Sequence, residues 1–398
     1  MAGSRIVVVG AGIVGLAVAR QLTLSRPDAR ITVLDKEDRV GVHQTGHNSG
    51  VVHAGLYYTP GSLKARLCTR GRELLSLYCR ERDLPYLECG KVVVARDAVE
   101  AERLGEIERR ATTNGVPGLR RLDAAGLRDV EPHARGVVAL HSPRTAIVDF
   151  AGVARAFADD VRAAGGQIRL GFEVSAISSC AVRAAGGEEL GFDLLVVCAG
   201  LQADRVSRLA GDGLEPAIVP FRGEYYRLRP DRTGLVRGLI YPVPDPRYPF
   251  LGIHLTRTIG GAVEIGPNAV LALAREGYAR RTVVPVDVRE TLRWPGFRRL
   301  ARRHWRAGVH ELYASLSRRA FVAAARGYVP ELSVRDVERA GAGVRAQAVD
   351  ADGTMVDDFR IHRVGRVVTV RNAPSPAATS SIAIAEHIVS GYLDGSTR

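Results

Sequence analysis

Three glycines near the start of the chain carry the first chemical signal. Gly10, Gly12 and Gly15 fit G-x-G-x-x-G, with Ile13 and Val14 inside the motif. The first glycine permits a tight turn, the second lets the backbone approach a pyrophosphate, and the third lets helix and strand pack closely. The helix opening here presents unpaired N–H groups to phosphate. Asp35 follows twenty residues after Gly15, where a carboxylate accepts a hydrogen bond from a ribose hydroxyl, and Lys36 stands beside it. This motif alone does not separate FAD from NAD. A denser cluster follows: His43 to Tyr58 packs three histidines, two tyrosines and three glycines into sixteen residues. Its Thr45, Gly46, His47, Asn48, Ser49 and Gly50 combine close backbone approach with polar groups suited to phosphate and polyol oxygens.

The elements that must position these residues are legible around them. Arg5–Val9 is β-rich, Leu16–Leu24 reads as a helix and Arg30–Leu34 as a second strand, together a βαβ unit. Asp193–Ala199 is a near-continuous apolar run ending at Gly200, as in a strand covered on both faces. Phe150–Ala164 reads as a helix and Gln167–Leu170 as a strand. Between 201 and 340, short strands such as Glu224–Leu228, Arg237–Tyr241 and Ala262–Ile265 alternate with Pro/Gly turns, which suggests an antiparallel sheet. Val364–Val370 then reads as a strand and Ala377–Leu393 as a helix. The nucleotide-binding unit is therefore expected to be discontinuous.

Composition narrows the class. The chain has 398 residues, 46% hydrophobic and 25% charged, which excludes a disordered or collagen-like chain. Cys68, Cys79, Cys89, Cys180 and Cys198 are odd in number and none has C-x-x-C spacing, so no disulfide scaffold and no metal are expected. With an N-terminus that runs straight into an apolar strand, this predicts a cytoplasmic protein. The net charge of +13 invites a nucleic-acid reading. Yet of 56 basic residues only Lys36, Lys64 and Lys91 are lysine, a skew typical of codon bias. Acidic residues are interleaved and aromatic–basic patterning is missing, so no nucleic-acid partner is expected.

The segment 43–58 resembles the FAD-dependent oxidoreductases of the D-amino-acid oxidase/glycerol-3-phosphate dehydrogenase superfamily, and most closely their L-2-hydroxyglutarate dehydrogenase/oxidase family. The stretches Tyr241–Pro246 with Gly252-Ile253-His254, Gly266–Ala272, Gly343–Gln347 and Asn372–Ser381 extend the likeness over nearly the whole chain. The resemblance implies an α/β fold: a discontinuous Rossmann-like FAD-binding domain (1–84, 146–214 and 338–398) with an antiparallel-sheet substrate domain (85–145 and 215–337). It implies FAD as cofactor, oxidation of L-2-hydroxyglutarate to 2-oxoglutarate with hydride to flavin N5, and electrons passed to quinone or oxygen. It adds Val174, Ala199, Gly200, Pro376, Ala378, Thr379 and Ser380 to the cofactor positions. An amine or amino-acid oxidase on the same fold is the alternative, because fold does not settle substrate. Some superfamily members attach FAD through the histidine of Thr-x-His-x-x-Gly. Thr45–Gly50 has that spacing, but Asn48-Ser49 departs from it, which favours non-covalent FAD.

Oxidising a 2-hydroxy acid requires a base for the hydroxyl proton, and a neutral histidine suits it. The candidates are His254 and His53. A dicarboxylate requires cations, for which arginine offers a bidentate fork. Arg345 falls where related oxidases carry a flavin-facing arginine; Arg222 is a weaker candidate, and Tyr57 and Tyr241 offer hydroxyls. Arg293–Arg306 holds both tryptophans, with Phe297, Leu300, Ala301 and Trp305 at helical spacing opposite five arginines. Such a helix, limited by Pro295-Gly296 to about three turns, fits either a protein surface or peripheral contact with an anionic membrane.

Overall fold

The computed structural model describes residues 3–246 and 250–393. Its first layer is a six-stranded sheet in the order Arg360–Val364, Val367–Asn372, Leu194–Val197, Arg5–Val9, Arg30–Leu34, Gln167–Arg169. All neighbours run parallel except the first pair. Alternation along Arg5–Val9 sorts its side chains. Ile6 and Val8 pack with Leu16 and Leu22 of the helix Ile13–Ser25, Phe157 of the helix Phe150–Ala163 and Ile384 of the helix Ser381–Ile388. Val7 and Val9 face Val182 and Phe192 of a small antiparallel meander.

The second layer is a large, mostly antiparallel sheet. Its path runs Val270–Leu271, Ala217–Leu228, Val263–Gly266, His254–Arg257, Leu239–Pro242, Lys91–Ala95, Val138–Ser142, Arg120–Asp123. Only Leu239–Pro242 and Lys91–Ala95 pair in parallel along it. Val337–Val349 pairs antiparallel along the length of Ala217–Leu228. The expected division of the chain gave residues 338–398 to the nucleotide unit, but this strand extends the large sheet. One face buries Val92, Val94, Ile240, Leu255, Ile265 and Tyr226 against Phe321, Val322 and Ala325 of the helix Arg318–Arg326. The opposite face puts Val93, Leu239 and Tyr241 against Val51, Ala54 and Leu56 of the histidine-rich segment.

Three elements depart from the sequence expectation. The run 364–370 is interrupted by a hairpin turn, because Gly365 adopts φ +56° between Arg360–Val364 and Val367–Asn372. The terminal helix starts at Ser381, not Ala377, since Ala377 and Ser380 N–H groups close turns onto the Pro374 and Pro376 carbonyls. The basic helix runs Pro295–Leu316, with a non-helical His304 inside it. Pro295 occupies its first turn, where a missing N–H costs nothing, so it starts the helix rather than limiting it. No helix among the described residues is long and apolar enough to cross a membrane.

Candidate active site

A cavity of about 760 Å³ lies where the parallel strands end and the large sheet begins. Its wall takes Gly10, Gly12, Ile13, Val14, Asp35 and Lys36 from the first βαβ unit, and Thr45, His47, Asn48, Ser49 and His53 from the following segment. Val174, Ala199 and Gly200, then Pro376, Ala378 and Thr379, complete the cofactor positions expected at its surface. Gly15, Gly46, Gly50 and Ser380 stand outside the wall. Gly15 packs so closely that a Cβ would lie 1.9 Å from the Gly10 carbonyl oxygen. At Gly46 a Cβ would meet the Gly41 carbonyl oxygen at 2.9 Å, and Gly50 adopts φ +69°. Ser380 is fully buried, directly before the last helix.

Local bonding explains the shape. The Asp35 carboxylate accepts from Ala11 N–H at 2.6 Å and Glu37 N–H at 2.9 Å, bracing the glycine turn. Thr45 Oγ1 accepts from Ile13 N–H at 3.0 Å, so the loop ties down the helix start. Thr379 Oγ1 accepts from His53 N–H at 3.1 Å, joining the histidine segment to the terminal turn. His47 Nδ1 donates to the Ala342 carbonyl at 3.0 Å and its ring stacks on Tyr278 at 3.8 Å. Glu37, His43 and Glu276 form a trio of potential metal ligands, but Lys36 Nζ already lies among them, 2.8 Å from Glu276.

The large sheet supplies the rest through its period of two. Tyr225 and Arg345 reach the cavity from Ala217–Leu228 and Val337–Val349, near Phe250 and Leu251. Tyr241 lies opposite His254 in the neighbouring strands, with their rings 4.0 Å apart. Neither Tyr241, His254 nor Tyr57 borders the main cavity. Arg222 has the other parity. It pairs with Glu224 at 3.0 Å, and Glu224 also holds Arg280 at 2.7 Å and accepts from Ser315 at 2.7 Å. Arg222 therefore stands in an ion-pair network away from the cavity, not among the groups facing it.

Electrostatics distinguish this inner face. His53 is lowered to about 3, by burial first and then by Lys91, His254, Lys64 and Arg345. His254 is also lowered to about 3, by burial and then by Arg345 and Lys91. Both rings are neutral near pH 7. The His254 Nδ1 partner is the Gly252 carbonyl at 3.0 Å, which only accepts, so Nδ1 carries the proton and Nε2 keeps its lone pair. His53 Nε2 lies 3.3 Å from Ser375 Oγ. Arg345 makes no ion pair with any described residue; its guanidinium stands 5.6 Å from the Phe250 ring. The sequence reading gave no role to Lys64, Tyr225, Phe250 or Gln347, all on the wall.

The wall fits a dinucleotide carrying a large planar ring. At Gly10 (φ +108°) a Cβ would lie 2.3 Å from the Cys198 carbonyl oxygen, so only glycine keeps the turn open. Gly12, at the N-cap of the helix behind it, has no side chain, and with Ile13 N–H taken by Thr45 the next N–H groups, of Val14 and Gly15, are left for phosphate. Asn372 Oδ1, on the wall, is buried without a partner among the described residues. A parallel sheet carrying such a cradle, roofed by a second sheet, defines a flavoprotein oxidoreductase type of site. The chain belongs to the FAD-dependent oxidoreductase family, whose sequence model matches residues 5–390.

Similar proteins narrow the comparison. The chain is 45% identical to a mitochondrial L-2-hydroxyglutarate dehydrogenase of Caenorhabditis elegans, over 98% of this chain and 93% of that protein. It is 43% identical to an L-2-hydroxyglutarate dehydrogenase of Indibacter alkaliphilus, over 96% of each. Among solved structures, the fold resembles an FAD-bound L-α-glycerophosphate oxidase from Mycoplasma pneumoniae. That match has a TM-score of 0.78 and 19% identity, and covers 98% of this chain and 94% of that one.

Proposed function

We propose that this FAD-dependent oxidoreductase oxidises L-2-hydroxyglutarate, or a close 2-hydroxy dicarboxylate, to the 2-oxo acid. The observation that carries this reading is the inner face of the large sheet. Cations there act together on two neutral histidines, and Arg345 makes no ion pair with any described residue. A positive chamber beside a flavin site suits an anionic substrate. The names of the similar dehydrogenases point to the same substrate.

In this reading Gly10, Gly12, Ile13, Val14, Asp35 and Lys36 hold the dinucleotide. Thr45, His47, Asn48 and Ser49, with Pro376, Ala378 and Thr379, would line the space for the ring. When bound, FAD supplies the acceptor for the hydride leaving the substrate α-carbon. Arg345 binds one substrate carboxylate and fixes the α-carbon's orientation. His254 Nε2 or His53 takes the hydroxyl proton. An entering dianion offsets the cations that depress both histidines, which raises the basicity of the ring when substrate is in place. The experiment is product analysis: holoenzyme with L-2-hydroxyglutarate and an artificial acceptor should yield 2-oxoglutarate. Turnover of L-glutamate with ammonia release would instead favour the amine-oxidase alternative.

For the electron acceptor, quinone or oxygen, the helix Pro295–Leu316 gives a specific observation. Trp305, Val309, Leu312, Tyr313 and Leu316 recur along one face and all are exposed, Trp305 at 60%. Arg298, Arg299, Arg302 and Arg303 precede the non-helical His304, and the Arg306 guanidinium lies 5.4 Å from the Trp305 ring. Such a face suits an anionic lipid surface and hence a membrane quinone. Salt-sensitive sedimentation with anionic vesicles, lost on charge reversal of Arg299, Arg302 and Arg303, supports it. No vesicle binding, with rapid peroxide production in air, favours a soluble oxidase.

A further inference from the structure

The inner face holds a cation that the mechanism above leaves unused. Lys91 opens the strand Lys91–Ala95 and is 1% exposed. Its ammonium makes no hydrogen bond or ion pair with any described residue; Nζ stands 4.8 Å from the Tyr241 ring centre and 4.9 Å from that of Tyr57. Ring faces attract a cation but accept none of its three N–H bonds in the way an oxygen does. A buried charge left in this state is costly unless something else satisfies it. The Tyr57 hydroxyl beside it is likewise buried without a partner.

Strand register explains the meeting. Lys91 pairs with Leu239, and Tyr241 lies two residues beyond Leu239, on the same face and opposite His254. The Lys91 charge is felt at both His53 and His254, as is that of Arg345. Val51 and Leu251 border the main cavity and also pack in the cluster around Tyr57 and Tyr241, so the two compartments share a wall. The other two lysines differ. Lys36 has Glu276 at 2.8 Å and Lys64 has Asp357 at 2.7 Å. In a chain that uses arginine almost everywhere else, the compact ammonium at position 91 is a chemical choice, since a guanidinium is larger and needs planar partners.

We infer that Lys91 receives the second carboxylate of a 2-hydroxy dicarboxylate, with the Tyr57 hydroxyl donating beside it, while Arg345 receives the first. This rests on the proposed substrate class and names the residue that selects a dicarboxylate over a monocarboxylate. Burial lowers Lys91 to about 8, so the empty site holds an ammonium that an incoming anion stabilises.

The test compares kcat/KM of the holoenzyme for L-2-hydroxyglutarate and L-2-hydroxyvalerate, in which a methyl replaces the distal carboxylate. In Lys91→Met the ratio should fall on the order of 10²-fold, because the lost contact exists only for the dicarboxylate. The bound-flavin spectrum should persist and the unfolding temperature should not drop, since a buried lone charge is removed. A second measurement needs no variant: 2-oxoglutarate affinity of the wild-type holoenzyme should weaken above about pH 8 as the ammonium deprotonates. The groups around Lys91 do not mimic that titration. His53 and His254 are neutral throughout, and burial raises Tyr57, Tyr241 and Cys68. An unchanged ratio in Lys91→Met, with pH-independent binding, overturns the Lys91 assignment and leaves the substrate reading standing. A wild-type enzyme that shows no preference for the dicarboxylate overturns the substrate reading, and this inference with it.

Discussion

Two groups of cations in this molecule are treated in opposite ways. Between the helices Ala203–Leu209 and Pro285–Arg293, Arg275 Nη2 lies 3.0 Å from Asp204, and Arg205 lies 2.7 Å from Glu290 and bonds Asp287 as well. Arg208 closes on the same Asp204 at 3.3 Å. On the inner face of the large sheet, the buried Lys91 and the exposed Arg345 make no ion pair with any described residue, and Glu311 is the carboxylate that feels the Arg345 charge. Paired cations of the first kind fasten elements together, and their worth lies in not being broken. Unpaired cations of the second kind add nothing to the fold and await a ligand.

The strongest way to break this contrast is at the bases. Replacing the acting base with alanine, in His254→Ala or His53→Ala, should slow anaerobic flavin reduction by about 10²–10⁴-fold. Stopped-flow absorbance reads this directly, and wild-type rates in both variants would remove both residues from the mechanism. Next in size is Asp204→Ala, which strands Arg275 and Arg208. It should cost about 3–5 kcal/mol of stability in urea unfolding. The preference among substrates should stay as it is; a shift there instead would erase the distinction between the two cation groups.

Arg345→Ala is the converse. It should keep FAD and the unfolding midpoint while losing about 2–4 kcal/mol of transition-state binding, read as kcat/KM. The last effect is in pH. His254 is lowered to about 3 in the folded state, from 6.5. Between those values the unfolded chain takes up a proton that the native site refuses, so stability falls on acidification. The slope is about 1.4 kcal/mol per pH unit for that histidine. The half-open His53 adds a smaller contribution. Urea midpoints from pH 7 to 4 should therefore flatten in His254→Ala relative to the wild type.

The same contrast explains what the sequence could disclose. The cofactor side is made largely of backbone, so its demands appear as glycines at fixed spacing. Gly10, Gly12 and Gly15 with Asp35 lie in one short βαβ unit, and the strands Arg5–Val9 and Arg30–Leu34 have the bounds their apolar runs predict. The substrate side is made of single side chains from strands as far apart as Lys91–Ala95 and Val337–Val349. Which face each side chain takes depends on pairing register, and no local pattern encodes it. Arg222 and Arg345 look alike as sequence; parity sends one to Glu224 and the other to the cavity. Lys91 left one trace, as one of three lysines among 56 basic residues, but its burial between two tyrosines follows only from the fold.

The central claim, a flavin site built for an anionic 2-hydroxy acid, is tested most directly by anaerobic stopped-flow mixing of the holoenzyme with L-2-hydroxyglutarate and, separately, with L-glutamate. The account predicts rapid loss of the oxidised flavin band near 450 nm, a property of the flavin itself, with the hydroxy acid and none with the amino acid. Bleaching by L-glutamate alone, or by neither compound, would contradict it.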